Sequence, residues 1–161
     1  MASKFKVLLS LKRKEGGGGV FYKHDGERFT QPHTLKLNQN TDYVVTVQSN
    51  RKLRDLIIHG ERCEVTEVKR DKSNTSDDSL KFSANFNTTG YAAEKKKGRK
   101  DIAVALTFDD GAALTVLLQC KFYSQSEIEH CRWGSSLTWI EYDCTLTEGQ
   151  TGVQVNKHKF V

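Results

Sequence analysis

The chain has 161 residues, of which 37% are hydrophobic and 28% are charged, and it contains a single proline. This composition excludes a disordered or collagen-like chain, and the longest apolar stretch, residues 112–118, is far shorter than the roughly 20 residues that cross a bilayer. The net charge of +5 permits an acidic partner. One domain covering residues 1–161 is expected, in a cytoplasmic protein without a signal peptide or a lipid anchor.

Alternating apolar and polar residues predict β-strands along most of the chain. A strand with one buried face places every second side chain in the core. This period of two occurs in five windows, which are residues 5–11, 43–47, 80–86, 102–108 and 114–122.

Turn-forming residues separate these windows. Asp25-Gly26 gives the clearest turn, because Asp-Gly supplies the positive φ angles of a tight hairpin. The predicted fold is therefore all-β, a single-domain antiparallel β-sandwich or flattened barrel with about nine or ten strands. At most one short helix is expected, at residues 124–129, where a serine precedes two glutamates. Polar segments near residues 69–79 and 94–101 are predicted to be mobile loops.

Residues 130–144 contain histidine, cysteine and aromatic side chains, a composition that raises the question of an active site or a metal site. His130 and Cys131 are neighbours, and neighbours on a strand point to opposite faces, so the pair does not combine a nucleophile with its base. The cysteines lack the C-x-x-C spacing of zinc and redox motifs, and we expect them to be reduced and buried. We therefore predict no enzymatic activity and no metal or other cofactor. The cysteines are Cys63, Cys120, Cys131 and Cys144.

The strand predicted within residues 137–144 is apolar on both faces. Such a strand has to be covered on both sides, by a second sheet or by a ligand. Two interpretations stay open: a strand inside the core, or the wall of a pocket between sheets that accepts an apolar group. The residues predicted to line that pocket are Phe108, Leu118, Phe122, Trp139 and Ile140.

Two basic clusters account for part of the positive charge. They lie within residues 69–72 and 95–100, and neither interleaves aromatic residues as nucleic-acid binders do. A solvated loop or contact with an acidic peptide is therefore favoured over nucleic acid, and such a peptide could also add to an exposed strand edge. The residues predicted to bind it are Lys69, Arg70, Lys72 and Arg132.

Five segments resemble the cannabinoid-receptor-interacting protein family and occur in the family's order. They are VFYKHDGERF (20–29), TLKL (34–37), QCKFY (119–123), HCRWGSSLTWIEYDC (130–144) and VNKHKF (155–160). The resemblance implies a small cytosolic all-β protein without enzymatic activity, which binds the intracellular C-terminal tail of the type 1 cannabinoid receptor and modulates its signalling. It also implies a fold similar to that of Rho GDP-dissociation inhibitors, whose β-sandwich shelters a prenyl tail.

Two functions follow from these expectations. The first is an adaptor for the tail of a G-protein-coupled receptor, a monomer that is cytoplasmic and reaches the plasma membrane through its receptor. The alternative is a carrier that binds lipidated peptides, such as the prenylated or acylated termini of G proteins, in the predicted pocket. Salt-dependent binding would favour the first, and stabilisation by a lipidated but not by an unmodified peptide would favour the second.

Overall fold

The computed structural model describes residues 2–27, 31–68, 79–91, 99–124 and 133–161. These ranges contain no helix, and therefore none long and apolar enough to cross a membrane. They contain thirteen strands: β1 (Ala2–Arg13), β2 (Phe21–His24), β3 (His33–Asn38), β4 (Asp42–Ser49), β5 (Leu53–Ile58), β6 (Glu61–Cys63), β7 (Thr66–Val68), β8 (Leu80–Asn87), β9 (Lys100–Phe108), β10 (Ala113–Tyr123), β11 (Ser135–Ser136), β12 (Ile140–Thr147) and β13 (Gln154–Phe160).

The strands form two β-sheets that pack face to face. The six strands of sheet A lie in the order β13-β12-β1-β4-β8-β7, and the seven strands of sheet B lie in the order β11-β2-β3-β10-β9-β5-β6. These pairings are antiparallel except that between β3 and β10, which is parallel. Neither sheet closes on itself within the described residues, so the architecture is a sandwich with open edges.

The core lies between the two sheets and follows from the alternation in the sequence. In β1, Phe5, Val7 and Leu9 point into the core. Lys4 and Lys6 alternate with them and point to the outer face of sheet A. Burying one such aliphatic or aromatic side chain contributes about 1.5–3 kcal/mol, so the alternating strands hold the two sheets together.

The predicted all-β sandwich is confirmed, and the strands of the described residues do not close into the alternative, a flattened barrel. The described residues contain thirteen strands, whereas the spacing of the turns predicts about nine or ten. The difference arises because β6 and β7 have three residues each and β11 has two, too few to show an alternation. Apart from Ser124, the predicted helix at 124–129 lies outside the described residues. The likeness to Rho GDP-dissociation inhibitors stays a prediction.

The last two residues of the second predicted loop, near residues 94–101, lie in a strand, and residues 94–98 lie outside the described residues. Lys100 and Asp101 belong to β9 and pair with β10, and the Arg99 side chain is almost fully buried. The charge of these residues hides the start of the strand, because a run of Lys and Arg is typical of a solvated loop. The first predicted loop, near residues 69–79, lies outside the described residues except at its last position.

The turn at Asp25-Gly26 is wider than a tight hairpin. Gly26 has the expected positive φ, 61°, but β2 ends at His24 and β3 begins only at His33. The backbone N–H of Asp25 donates to the carbonyl oxygen of Pro32 at 2.7 Å. This hydrogen bond closes a longer loop between the two strands.

The prediction of a strand apolar on both faces is wrong for residues 137–144. β12 begins at Ile140, and its residues Ile140 and Tyr142 point into the core. Glu141 and Asp143 alternate with them on the outer face, where they are partly exposed. The apolar residues before Ile140 therefore belong to the connection into β12 and not to a second buried face.

Candidate functional site

The basic residues predicted to bind a peptide all lie outside the described residues. In sequence, three of them follow β7 and the fourth precedes β11. Their role stays a prediction. They are Lys69, Arg70, Lys72 and Arg132.

The five residues predicted to line an apolar pocket are all described, and they are dispersed through the core. Phe108, Phe122 and Ile140 are 0% exposed. Leu118 is buried, whereas Trp139 is half-buried. Leu118 lines the cavity between the two sheets and the other four residues do not.

This cavity is small and apolar. Its volume is about 10 Å³, which leaves room for roughly one water molecule. A prenyl or acyl chain fits into it only if the sheets separate, so a lipid pocket stays a prediction. The lining residues are Leu9, Leu11, Leu37, Val45, Ile58, Phe86, Ile102, Val104, Leu118 and Cys120.

The open edges of the two sheets differ in length, and the difference singles out β13. Of the four edge strands in the described ranges, β13 has seven residues, β6 and β7 have three each, and β11 has two. An edge strand presents unpaired backbone N–H and C=O groups, to which a further strand can bind. β13 therefore offers the longest such row.

Hydrogen bonds at the end of β13 determine which of its backbone groups point outwards. Trp139 and Val161 exchange two backbone hydrogen bonds, with N–O distances of 3.3 and 2.8 Å. In an antiparallel pair, such bonded pairs of residues alternate with pairs whose backbone groups point away from each other. The N–H and C=O groups of His158 and Phe160 therefore point away from β12, towards the open edge.

The outer face of sheet A is basic next to this edge. Lys6 Nζ lies 2.6 Å from Glu141 Oε1 and 3.8 Å from Asp143 Oδ1. The hydrogen bond from Lys6 to Glu141 lowers the pKa of Glu141 and raises the pKa of Lys6, so both groups are charged at neutral pH. These two carboxylates face four lysines on β1 and β13, which we call the basic face: Lys4, Lys6, Lys157 and Lys159.

Two lysines of the basic face, one on each of β1 and β13, form no salt bridge within the described residues. They are Lys4 and Lys157, and both line an open cleft of about 410 Å³. The register of β12 and β13 shifts at this cleft, which makes Asn156 the extra residue of a β-bulge. The positive charge of Lys4 and Lys157 is therefore available to an anionic ligand.

On the inner face, aromatic rings connect β13 to sheet B. Phe160 stacks on His33, with ring centroids 4.6 Å apart, and lies 5.0 Å from Tyr22. Burial, His24 and His158 lower the pKa of His33, so its ring is neutral at physiological pH. These contacts fix the C-terminal end of β13 on sheet B.

The segments that bear the family resemblance come together on this side of the sandwich. Residues 20–29 include β2, residues 34–37 lie in β3 and residues 119–123 lie in β10. Residues 130–144 include β11 and part of β12, and residues 155–160 lie in β13. In the sheets these strands are neighbours, in the orders β11-β2-β3-β10 and β13-β12. The long edge, the basic face and the aromatic contacts thus occupy the region where the resemblance is concentrated.

Sequence reasoning misses Lys157 and Lys159 as candidate binding residues. The sequence predicts that residues 152–160 form the last strand of the sheet, and the longer runs of Lys and Arg elsewhere are predicted to form the binding site. The signal is present nevertheless, because the two lysines alternate with His158 and Phe160. That alternation is the pattern of a strand with one charged face.

The described cysteines do not have the properties of catalytic thiols. All three are free, and burial raises the pKa of Cys63 and Cys120 and raises that of Cys144 to about 11. Their thiols are therefore protonated at neutral pH, whereas a nucleophilic cysteine is a thiolate. Cys131 lies outside the described residues, within which no three His, Cys, Asp or Glu side chains could hold a metal ion.

Comparison with known proteins identifies a family and several relatives. The model of the family described as CB1 cannabinoid receptor-interacting protein 1 matches residues 1–160. The protein of that name from Bos taurus is 30% identical over 159 residues, which cover 97% of this chain and 95% of the relative. The protein of that name from Homo sapiens is 29% identical over 159 residues, with the same coverage of 97% and 95%. The similarity therefore extends over both sheets.

Proposed function

The chain belongs to the CB1 cannabinoid receptor-interacting protein 1 family, and we propose that it is a non-enzymatic adaptor for a G-protein-coupled receptor similar to the type 1 cannabinoid receptor. It binds the intracellular C-terminal tail of that receptor and modulates its signalling. It acts as a monomer in the cytoplasm and reaches the plasma membrane through the receptor. The relatives are named for an interaction with the CB1 cannabinoid receptor, which supports a receptor as the partner.

The observation that supports this proposal best is the basic face beside the open edge of β13. Four lysines face two carboxylates there, and Lys4 and Lys157 have no salt bridge within the described part of the chain. The ligand whose charge complements this surface is an extended peptide with acidic side chains. The residues predicted from the sequence stay a second proposed contact for the same peptide: Lys69, Arg70, Lys72 and Arg132.

The test is the binding of a fluorescent peptide with the sequence of the receptor's C-terminal tail, measured by anisotropy. Charge reversal in the double variant Lys157→Glu/Lys159→Glu should weaken binding by about tenfold or more at low salt, because two attractive contacts become repulsive. The affinity of the unmodified protein should also fall as the salt concentration rises.

The matched control is the double variant Lys12→Glu/Lys14→Glu. Both lysines are exposed, and Lys12 lies on the outer face of the same sheet, six residues or about 20 Å along β1 from Lys6. The control makes the same change in net charge and should alter the affinity by no more than about twofold. Equal losses in the two double variants would refute a site on the basic face, and no binding of the peptide to the unmodified protein would refute the adaptor.

A carrier of lipidated peptides is the alternative function. The cavity between the sheets is apolar, which suits a lipid chain, but its volume of about 10 Å³ holds roughly one water molecule. A lipid chain would enter only if sheets A and B moved apart. The geometry therefore supports the adaptor better than the carrier.

A further inference from the structure

We propose that the receptor tail binds β13 as an added antiparallel strand of sheet A, through a segment in which acidic and apolar residues alternate. This inference rests on the proposed function for the identity of the partner. It goes beyond that function by stating how the partner binds and which pattern of side chains the site selects.

The backbone of β13 is arranged to accept such a strand. β12 occupies one side of β13, with Ile140 opposite Phe160 and Asp143 opposite Lys157. On the other side, the N–H and C=O groups of His158 and Phe160 point outwards, and no strand in the described ranges pairs with them. An added antiparallel strand would place one residue opposite each of these two and form about four backbone hydrogen bonds.

The outer face of β13 selects acidic neighbours. Lys157 and Lys159 lie on this face, and Lys159 Nζ is 3.8 Å from Glu141 Oε2 on the β12 side. Residues of an added strand that lie opposite these lysines would have Cβ atoms roughly 4.5–5.5 Å away, close enough for salt bridges. We therefore expect Asp or Glu at two positions of the partner that are two residues apart.

The inner face of β13 selects apolar neighbours. His158 and Phe160 alternate with the lysines and point towards sheet B, where Phe160 contacts Tyr22 and His33. Partner residues opposite His158 and Phe160 would extend this aromatic layer along the side of the sandwich. Apolar residues are therefore expected between the acidic ones, so that one face of the added strand is charged and the other covers the exposed His158 and the half-buried Phe160.

The same lysines disfavour a second copy of this chain as the occupant. Two β13 edges placed side by side would bring Lys157 and Lys159 of both copies onto one face of the joined sheet. Like charges on neighbouring strands destabilise their pairing, and lysine on an edge strand is a common barrier to self-association. The barrier becomes an attraction when the added strand is acidic.

The test uses a synthetic seven-residue peptide of alternating Glu and Val, in which selected backbone nitrogens are methylated. Methylation removes the N–H donor, and in an antiparallel addition the Val nitrogens face β13 whereas the Glu nitrogens face solvent. Methylated Val nitrogens should reduce the affinity for the full chain by about tenfold or more, and methylated Glu nitrogens by no more than about twofold. Equal effects, a larger effect at Glu, or no binding of the unmethylated peptide would overturn the proposal.

Two variants of the protein provide the complementary test. His158→Pro removes the outward N–H and leaves the bonds to β12, because an edge strand tolerates proline where its N–H faces solvent. It should weaken binding of the alternating peptide about tenfold, whereas His158→Ala keeps the N–H and should bind within about twofold of the unmodified protein. Equal affinities of the two folded variants would count against strand addition. If the proline variant fails to fold, the methylated peptides decide the question alone.

The two peptides separate this inference from the proposed function. If the receptor-tail peptide binds while both methylated peptides lose affinity equally, the adaptor stands and the added strand is refuted. If the alternating peptide shows the expected selectivity while the receptor-tail peptide does not bind, β13 is an edge for acidic strands and the proposed receptor is refuted.

Discussion

Asp25 and Arg99 form the most buried salt bridge among the described residues, with side chains 0% and 7% exposed. An Arg99 guanidinium nitrogen lies 3.3 Å from Asp25 Oδ1, and Arg99 Nε donates to Thr34 Oγ1 at 3.0 Å. Gln119 Nε2 donates to the same hydroxyl oxygen at 2.9 Å. These hydrogen bonds join the loop after β2 to β3, β10 and the residue before β9. They thereby stabilise the side of sheet B that faces β13.

Replacing Asp25 by Asn should lower the free energy of unfolding by about 3–5 kcal/mol, because it leaves the buried charge of Arg99 without its carboxylate. The measurement is denaturant unfolding at neutral pH. Asp109→Asn is the control, since Asp109 is exposed and its interaction with the exposed Lys52, at 3.8 Å, is worth about 0–1 kcal/mol. Losses of equal size in the two variants would contradict a stabilising role for the buried pair.

The same pair gives the stability of the protein a defined pH dependence. Burial alone would raise the pKa of Asp25, but hydrogen bonds from Thr34 and Arg99, together with the positive charges of Arg99 and Lys23, outweigh it, and the pKa lies below its ordinary value of 3.8. A carboxylate with a lowered pKa stabilises the folded state above its unfolded pKa, and this stabilisation is lost as the pH falls through the folded pKa. Acidification below about pH 4 should therefore destabilise the unmodified protein more than Asp25→Asn.

Among the elements, β11 depends on a close approach at Gly134. The φ angle of Gly134 is +122°, and a Cβ atom at this position would lie 2.5 Å from the carbonyl oxygen of Tyr22. Glycine meets both requirements, because it has no Cβ and adopts positive φ without steric cost. The approach allows Ser135 to pair with Tyr22, so that β11 joins sheet B beside β2.

Gly134→Ala should destabilise the protein more than Gly149→Ala. Gly149 also has a positive φ, 83°, but a Cβ atom there would have nothing within 4 Å, so alanine incurs only the backbone cost of about 1–2 kcal/mol. At position 134 the methyl group must also displace the backbone of β2, and the total loss should reach about 2–4 kcal/mol. Thermal unfolding of the two variants measures the difference. Equal losses of stability in the two variants would mean that the backbone of β2 moves away from the methyl group at no cost in free energy.

Five of the longer strands could be predicted from their alternation in the sequence, and the shortest ones could not. The five alternating windows correspond to β1, β4, β8, β9 and β10, because a strand with one face in the core must alternate. β6, β7 and β11 form through pairing with a neighbour, and their own residues have no such pattern. The close approach at Gly134 is a tertiary feature that no local pattern contains.

The candidate site could be predicted only in part for a related reason. The alternation of Lys157 and Lys159 with His158 and Phe160 is visible in the sequence and indicates a strand with one charged face. That β13 lies at an edge depends on the order of strands in sheet A, which local sequence does not determine. Without knowledge of that strand order, the binding site is predicted at the longest runs of positive charge instead.

At the scale of the whole molecule, charge and packing indicate different places for a ligand. The chain has a net charge of +5, and part of that excess lies on the basic face beside an open edge. The space between the sheets is filled by apolar side chains and leaves about 10 Å³. Because a close-packed interior yields little to added volume, binding at the surface is expected to require less rearrangement than binding between the sheets.

A prenylated form of the receptor-tail peptide should therefore raise the melting temperature of the protein no more than the unmodified peptide does at the same concentration. A ligand stabilises a protein only by binding its folded state more tightly than its unfolded state, and the prenyl chain gains no buried site while the sheets stay packed. A prenylated peptide of scrambled sequence controls for adsorption of the lipid chain alone. A larger increase with the prenylated tail than with both controls would mean that sheets A and B separate around the chain, and the carrier would then replace the adaptor as the better account of this fold.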